Sequence, residues 1–154
     1  MIKSDNNELT SLLAGISGEY FVAAELSRLG YIASITLRNT RGIDILASNQ
    51  NANRTVAIQV KTNRTNKKVW MMTEKAEDFL GVNHFYVFVN LRDTKQRPDF
   101  HIVPCKEVAA FVSKNHKKWL QTPGVKGQKH NDNKMRMFED KSSRYLEKWD
   151  LLGL

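Results

Sequence analysis

The sequence predicts an α/β domain, with a central mixed sheet of about five strands flanked by helices. Three observations predict it. Residues 8–29 place apolar side chains at helical spacing. Three short runs rich in Ile, Val and Thr follow, separated by polar turns. After a second, shorter helical signal, two more such runs precede a long helical stretch.

The elements follow in order. Leu12, Leu13, Ile16, Phe21, Val22, Ala24, Leu26 and Leu29 form the apolar stripe of the first helix, with Ser17-Gly18 as a start or local break and Gly30 as a stop. Tyr31–Leu37, Ile43–Ser48 and Arg54–Thr62 read as strands, joined by turns at 39–42 and 49–53. A basic loop at 63–68 leads to a short fourth strand, Val69–Met72. Thr73 reads as an N-cap, with Glu74 and Glu77 in the first turn of a helix reaching Leu80. His84–Leu91 reads as a buried strand and Asp99–Val103 as the last one. Pro104 opens a helix to Leu120. A polar loop at 122–134 and a closing helix over Ser142–Leu151 complete the chain. Short turns make the early strands a meander, and the intervening helix lets a later strand return beside them.

The chain has 154 residues, enough for one domain: a core over about 15–103 and a basic helical extension over 104–154. No apolar run reaches the ~18 residues that span a bilayer, so no membrane association is expected. The first eight residues lack a signal-peptide pattern and Cys105 is the one cysteine, so no intramolecular disulfide forms and a reducing cytoplasm is expected. The net charge is +8, and residues 105–148 hold eleven Lys/Arg against five Asp/Glu. Such a surface attracts polyanions, nucleic acid above all. The histidines are scattered without zinc-ligand spacing, and no phosphate-cradling glycine loop occurs.

Four polar residues stand where apolar elements should bury hydrophobics. Asp44 interrupts Gly42-Ile43-Asp44-Ile45-Leu46-Ala47. Gln59 and Lys61 interrupt Val56-Ala57-Ile58-Gln59-Val60-Lys61-Thr62, and Glu19 lies on the preceding helix. Unpaired buried charge is costly, so such groups pair, bind metal or do chemistry. Alternation points Gln59 and Lys61 to one side of their strand, and an antiparallel neighbour would bring Asp44 beside them. Asp44, Gln59, the Val60 carbonyl and Glu19 are hard oxygen donors suited to Mg²⁺ or Mn²⁺, with Lys61 beside the ion. Each residue has an ordinary alternative. A strand-end Asp can bond backbone, and Lys61 can run its stem to the rim or pair with Glu19. Glu25 rivals Glu19, but six residues turn the helix by 600°, so only one of them faces the cluster.

The pattern Glu19, Gly42-Ile43-Asp44, Gln59-Val60-Lys61 resembles the restriction-endonuclease-like PD-(D/E)XK nuclease superfamily, nearest its Mrr-like and Holliday-junction-resolvase-like branches, over about residues 15–103. The resemblance implies an αβββαβ core, metal ligands at Glu19, Asp44 and Gln59, and a catalytic amine at Lys61. It implies a divalent-metal-dependent nuclease acting on DNA, with RNA as the other candidate. Related enzymes pair two copies to cut both strands. Two departures stand out. Gln59 replaces the commoner acid, as in some Mrr-like members, and Ile43 replaces the proline. Gln59 also favours an alternative: a degenerate nuclease fold that binds nucleic acid without cutting.

Arg38, Arg41, Arg64, Lys67 and Lys68 flank the four-residue cluster and suit backbone phosphates. Lys117, Lys118, Lys126 and Lys129 form a second basic group, with Trp119 either packed in the core or stacked on an unpaired base.

Overall fold

Helix α1 spans Ser11–Arg28, and the Thr10 hydroxyl caps it by accepting from Leu13 N at 3.2 Å. The computed structural model describes residues 9–37 and 42–154. The N-terminal eight residues and most of the expected 39–42 turn, with Arg38 and Arg41, lie outside the described residues. The strands are β1 Ile32–Ile35, β2 Ile45–Ser48, β3 Thr55–Asn63, β4 Val69–Thr73, β5 His84–Asn90, β6 Asp99–Pro104 and β7 Met135–Glu139, with helix α2 at Cys105–Gln121. No helix among the described residues is long and apolar enough to cross a membrane.

Five strands form the central sheet in the order β1-β2-β3-β5-β6. The β3–β5 pair is parallel and its other pairs are antiparallel, so the sheet is mixed as expected. Between β3 and β5 the chain leaves the sheet through β4, which allows a parallel return. β4 pairs antiparallel with β7 in a separate two-stranded ribbon.

Alternation sorts the side chains of β3 between two cores. Ile58 and Val60 face α1 and pack with Val22, Leu26, Val87, Phe100, Ile102, Trp149 and Leu152. The opposite face carries Gln59 and Lys61, level with Tyr86 and Phe88 of β5. On that face Tyr86 and Phe88 join Trp70, Val108, Val112 and Phe138 from the ribbon and α2. Phe88 and Phe138 stack with centroids 4.4 Å apart, and Trp70 Nε1 donates to Val89 O at 2.9 Å. These contacts fasten the ribbon to the sheet.

Three local expectations differ from the structure. The segment after Thr73 forms only a 3-10 turn, Glu74–Glu77, and the Thr73 side chain makes no cap bond. Strand β7 was not foreseen, because Arg136 occupies an inward position between Met135 and Met137 and hides the apolar alternation. Arg136 is buried and paired with Glu77. The closing helix over Ser142–Leu151 reduces to turns and a 3-10 segment, Trp149–Leu152. Ser143 and Glu147 take positive φ angles (58° and 56°), which end helical propagation. The buried Asp140 carboxylate caps the turn by accepting from Arg144 N and Tyr145 N. The C-terminal third is thus helical mainly in α2, and it contributes Phe138, Trp149 and Leu152 to the two cores.

Candidate active site

β2 stops one residue short of Asp44. Its first residue, Ile45, pairs with Ile58, while β3 continues to Asn63. Past Ile58, β3 therefore has no β2 strand beside it, and Asp44 stands at this gap. Its backbone is pinned on both sides: Asp44 N donates to Ile58 O at 2.8 Å, and Asp44 O accepts from Thr36 N at 2.9 Å. Its Oδ2 accepts from Val60 N at 2.7 Å. The N–H and C=O of a strand residue point to the same edge, so the Val60 carbonyl also turns toward the gap. Burial raises the Asp44 carboxyl above its ordinary pKa. The Val60 N–H and the Lys61 charge oppose that shift. Lys61 is thus within electrostatic reach of Asp44.

Gln59 and Lys61 open into a cleft of about 700 Å³. Gly42 stands on their side of it, and Thr73, Lys75 and Phe79 come from β4 and the following turn. Gly42 has φ +62°, and a Cβ there would lie 3.4 Å from Phe79 and 3.8 Å from Gln59 Oε1. Those are ordinary contact distances, so it is the positive φ of the turn that favours glycine here. Tyr86 closes the floor, and burial pushes its phenol pKa up, keeping it neutral. Thr73, Lys75, Phe79 and Tyr86 were not singled out from sequence.

Helix α1 packs on the other face of β3. A Cβ on Gly18 would overlap the Thr62 side chain, so only glycine lets the helix descend so close. Glu19 follows directly, half-buried above the same end of β3. Glu25 is engaged elsewhere. It is buried and accepts from Arg28 Nη2 at 2.7 Å and Arg97 Nη2 at 2.8 Å. The hydrogen bond from Arg28 leads in holding its carboxyl below the usual range.

The flanking cations divide. Arg64 donates to Leu9 O and lies 3.5 Å from Ser11 Oγ, so it ties the start of α1. Lys68 bonds Ser143 Oγ, while Lys67 is exposed. Lys117 and Lys118 are exposed near the end of α2, and Lys126 and Lys129 on the loop that follows. Lys118 lines a second cleft, apart from the one at Gln59 and Lys61.

Among the described residues, no group of three or more His, Cys, Asp or Glu side chains is arranged to hold a metal. The oxygen donors available are the Asp44 carboxylate and the Val60 carbonyl at the gap and the Gln59 amide in the cleft. They fit a hard divalent ion that keeps several waters. A half-buried carboxylate whose charge is opposed by burial is the kind of group such an ion would satisfy.

No family model matches the sequence, and no curated protein matches it. Solved structures do match. Hjc, a Holliday junction resolvase of Archaeoglobus fulgidus, is similar over 90% of this chain and 95% of its own, with TM-score 0.53 and 14% identity. The bacterial homing endonuclease I-Ssp6803I is similar over 93% of this chain and 91% of its own, with TM-score 0.56 and 11% identity. The chain has the restriction-endonuclease-like fold. Both neighbours are nucleases of that fold, and the five-stranded mixed sheet with its flanking helices is the shared architecture. At these identities the likeness carries the fold alone, so the roles of Asp44, Gln59 and Lys61 rest on their own geometry.

Proposed function

We propose that the protein is a divalent-metal-dependent nuclease that hydrolyses DNA phosphodiester bonds. One observation carries the reading: at the open edge of β3, Asp44 bonds the backbone between Gln59 and Lys61, the two polar residues that open into the cleft. In this reading Asp44, Gln59 and the Val60 carbonyl hold Mg²⁺ or Mn²⁺, and Glu19 approaches through the edge that β2 leaves open. The ion would polarise the phosphate and lower the pKa of its water. Lys61 would orient the attacking water and offset charge developing on the phosphoryl oxygens. Lys75 and Thr73, on the far wall, would hold a neighbouring phosphate. Arg38, Arg41, Arg64, Lys67 and Lys68 are the cations proposed to contact backbone phosphates.

Pairing of two copies suits cleavage of both strands. Leu12, Leu13, Tyr20 and Phe21 of α1 are exposed apolar groups of the kind such an interface covers. A second reading, nucleic-acid binding without cutting, is favoured by Gln59, because a neutral amide is a weaker ligand than a carboxylate. Incubation of supercoiled and branched DNA with Mg²⁺ or Mn²⁺ separates the two. Cutting by the wild type, lost by about a hundredfold or more in Lys61→Ala and Asp44→Ala, supports the enzyme. Equal cutting by both variants and wild type removes it. Tight binding that is indifferent to metal, with no cutting, supports the binder.

A further inference from the structure

The second cleft, of about 540 Å³, lies between the end of α2 and the outer face of the β4–β7 ribbon. Alternation builds it. Trp70 and Met72 of β4 and Arg136 and Phe138 of β7 turn inward, so Met71, Met135 and Met137 turn out. Met71 and Met137 are directly opposed in register. Their exposures, 54% for Met71, 58% for Met135 and 39% for Met137, are high for apolar side chains. Trp119 forms the other wall at 37% exposure. Its indole stacks on His130 (4.1 Å, 22°) and on His116 (5.5 Å, 25°), and His116 Nε2 lies 2.7 Å from Asp132 Oδ1.

The surroundings are strongly cationic. Residues 114–141 carry eight Lys/Arg against three Asp/Glu. All seven lysines among them are exposed. The acids are engaged: Asp132 with His116, Glu139 with Lys141 at 2.8 Å, and Asp140 with His101 in the interior. An aromatic and thioether cleft inside a field of lysines needs a partner with both phosphates and exposed ring faces. Duplex DNA offers the first and hides the second. A single strand offers both.

We infer that the Trp119 cleft binds unpaired bases of a nucleic-acid strand, with the surrounding lysines neutralising the phosphates beside it. The bases would enter between the braced indole and the methionine face, where thioethers make favourable contacts with rings. The site is separate from the metal chemistry proposed above and does not depend on it.

Intrinsic fluorescence tests this on the full chain in EDTA. Trp70 and Trp149 are 2% and 7% exposed, so a contact quench reports Trp119. Oligo(dT) of roughly 15 nucleotides is compared with a blunt hairpin duplex of equal nucleotide count and with polyglutamate. Oligo(dT) is expected to quench emission and to bind about tenfold more weakly to Trp119→Ala, as expected for a lost base stack. Trp119→Phe should retain most of the affinity. Met135→Gln, an exposed change, should weaken oligo(dT) binding at unchanged Tm, which separates a lost contact from a lost fold. Equal affinity for hairpin and oligo(dT), unchanged affinity in Trp119→Ala, or equal quenching by polyglutamate overturns the assignment. The last outcome marks the cleft as a site for an acidic protein. Quenching is read in EDTA and cutting separately with Mg²⁺: quenching in the first without cutting in the second removes only the nuclease reading, and cutting without quenching removes only this one.

Discussion

Replacing Asp44 separates its charge from its hydrogen bond. Asp44→Asn keeps an oxygen for the Val60 N–H, now held at 2.7 Å, and removes the charge. Asp44→Ala removes both and leaves a strand N–H without its partner, which costs about 1–3 kcal/mol. At ~2–4 °C per kcal/mol for a chain of this size, the alanine variant should melt roughly 5 °C below wild type in EDTA. The asparagine variant should melt at or above wild type. Burial raises the folded pKa of Asp44, so the folded state binds the proton more tightly than the unfolded chain. The charge therefore opposes folding at neutral pH, and the cost disappears as pH falls through the folded pKa. A bound divalent ion reverses the balance: at a hundredfold excess over its Kd it adds about 2.7 kcal/mol, or roughly 5–10 °C. That rise should be present in wild type and absent in both variants. It should also fade on acidification at a higher pH than an ordinary aspartate would require, because the proton competes for the carboxylate. Scanning fluorimetry with EDTA and with Mg²⁺ reads all of this. If Asp44→Asn melts as low as Asp44→Ala in EDTA, the charge was not opposing the fold; if it keeps the Mg²⁺ response, Asp44 is not a ligand.

Glu25→Gln should cost about 1–2 kcal/mol, held low because Arg28 and Arg97 are largely exposed, and should leave the Mg²⁺ response intact. The lowered Glu25 pKa gives stability that is present above the ordinary value of 4.5 and lost as pH falls through the folded value, so urea midpoints of Glu25→Gln should fall less steeply below that pH. Gly18→Ala should cost about 1–3 kcal/mol in urea and weaken metal binding by calorimetry, because Thr62 Cβ and Cγ2, at 3.0 and 3.2 Å, crowd the new methyl even when the hydroxyl turns away. Normal stability in that variant contradicts the close approach. Phe138→Ala should cost about 3–5 kcal/mol in a single transition, and a separate transition for the last third would show that β7 is not part of the core.

The central sheet was legible because its strands announce themselves by composition. Val56-Ala57-Ile58 and Phe85-Tyr86-Val87-Phe88-Val89 are buried runs with few competing readings. The candidate site drew attention for the converse reason, since Asp44, Gln59 and Lys61 break such runs. The C-terminal third was not legible, because its structure depends on polar groups with distant partners. Arg136 occupies a strand position by pairing with Glu77, and Asp140 organises a turn while held by His101 at 2.7 Å. Neither partner lies within a window that periodicity can read. Glu19 lies on α1, and alternation along β3 could not say that this helix packs on the face away from Gln59 and Lys61. That depends on which way the chain crosses after Gly30.

The two faces of β3 let one strand serve stability and, in the proposed nuclease, chemistry. Ile58 and Val60 are sealed under α1, and Gln59 and Lys61 open on the opposite cleft. Had β2 continued beside Val60, its backbone would occupy the N–H and the carbonyl that now turn to the gap. Because β2 stops at Ile45, a carboxylate takes the place of a strand carbonyl as the partner of Val60 N. The substitution holds Asp44 by a backbone bond whose position is fixed by the sheet, so the carboxylate is oriented before any ion arrives. In the proposed nuclease, preorganisation of this kind would lower the cost of assembling a donor set, most of all for a neutral donor such as Gln59. It follows that lengthening β2 by one residue, with an alanine inserted between Asp44 and Ile45, should preserve folding but shift the carboxylate out of register and abolish the Mg²⁺ response. An insertion that keeps the response would show that the ion is held elsewhere.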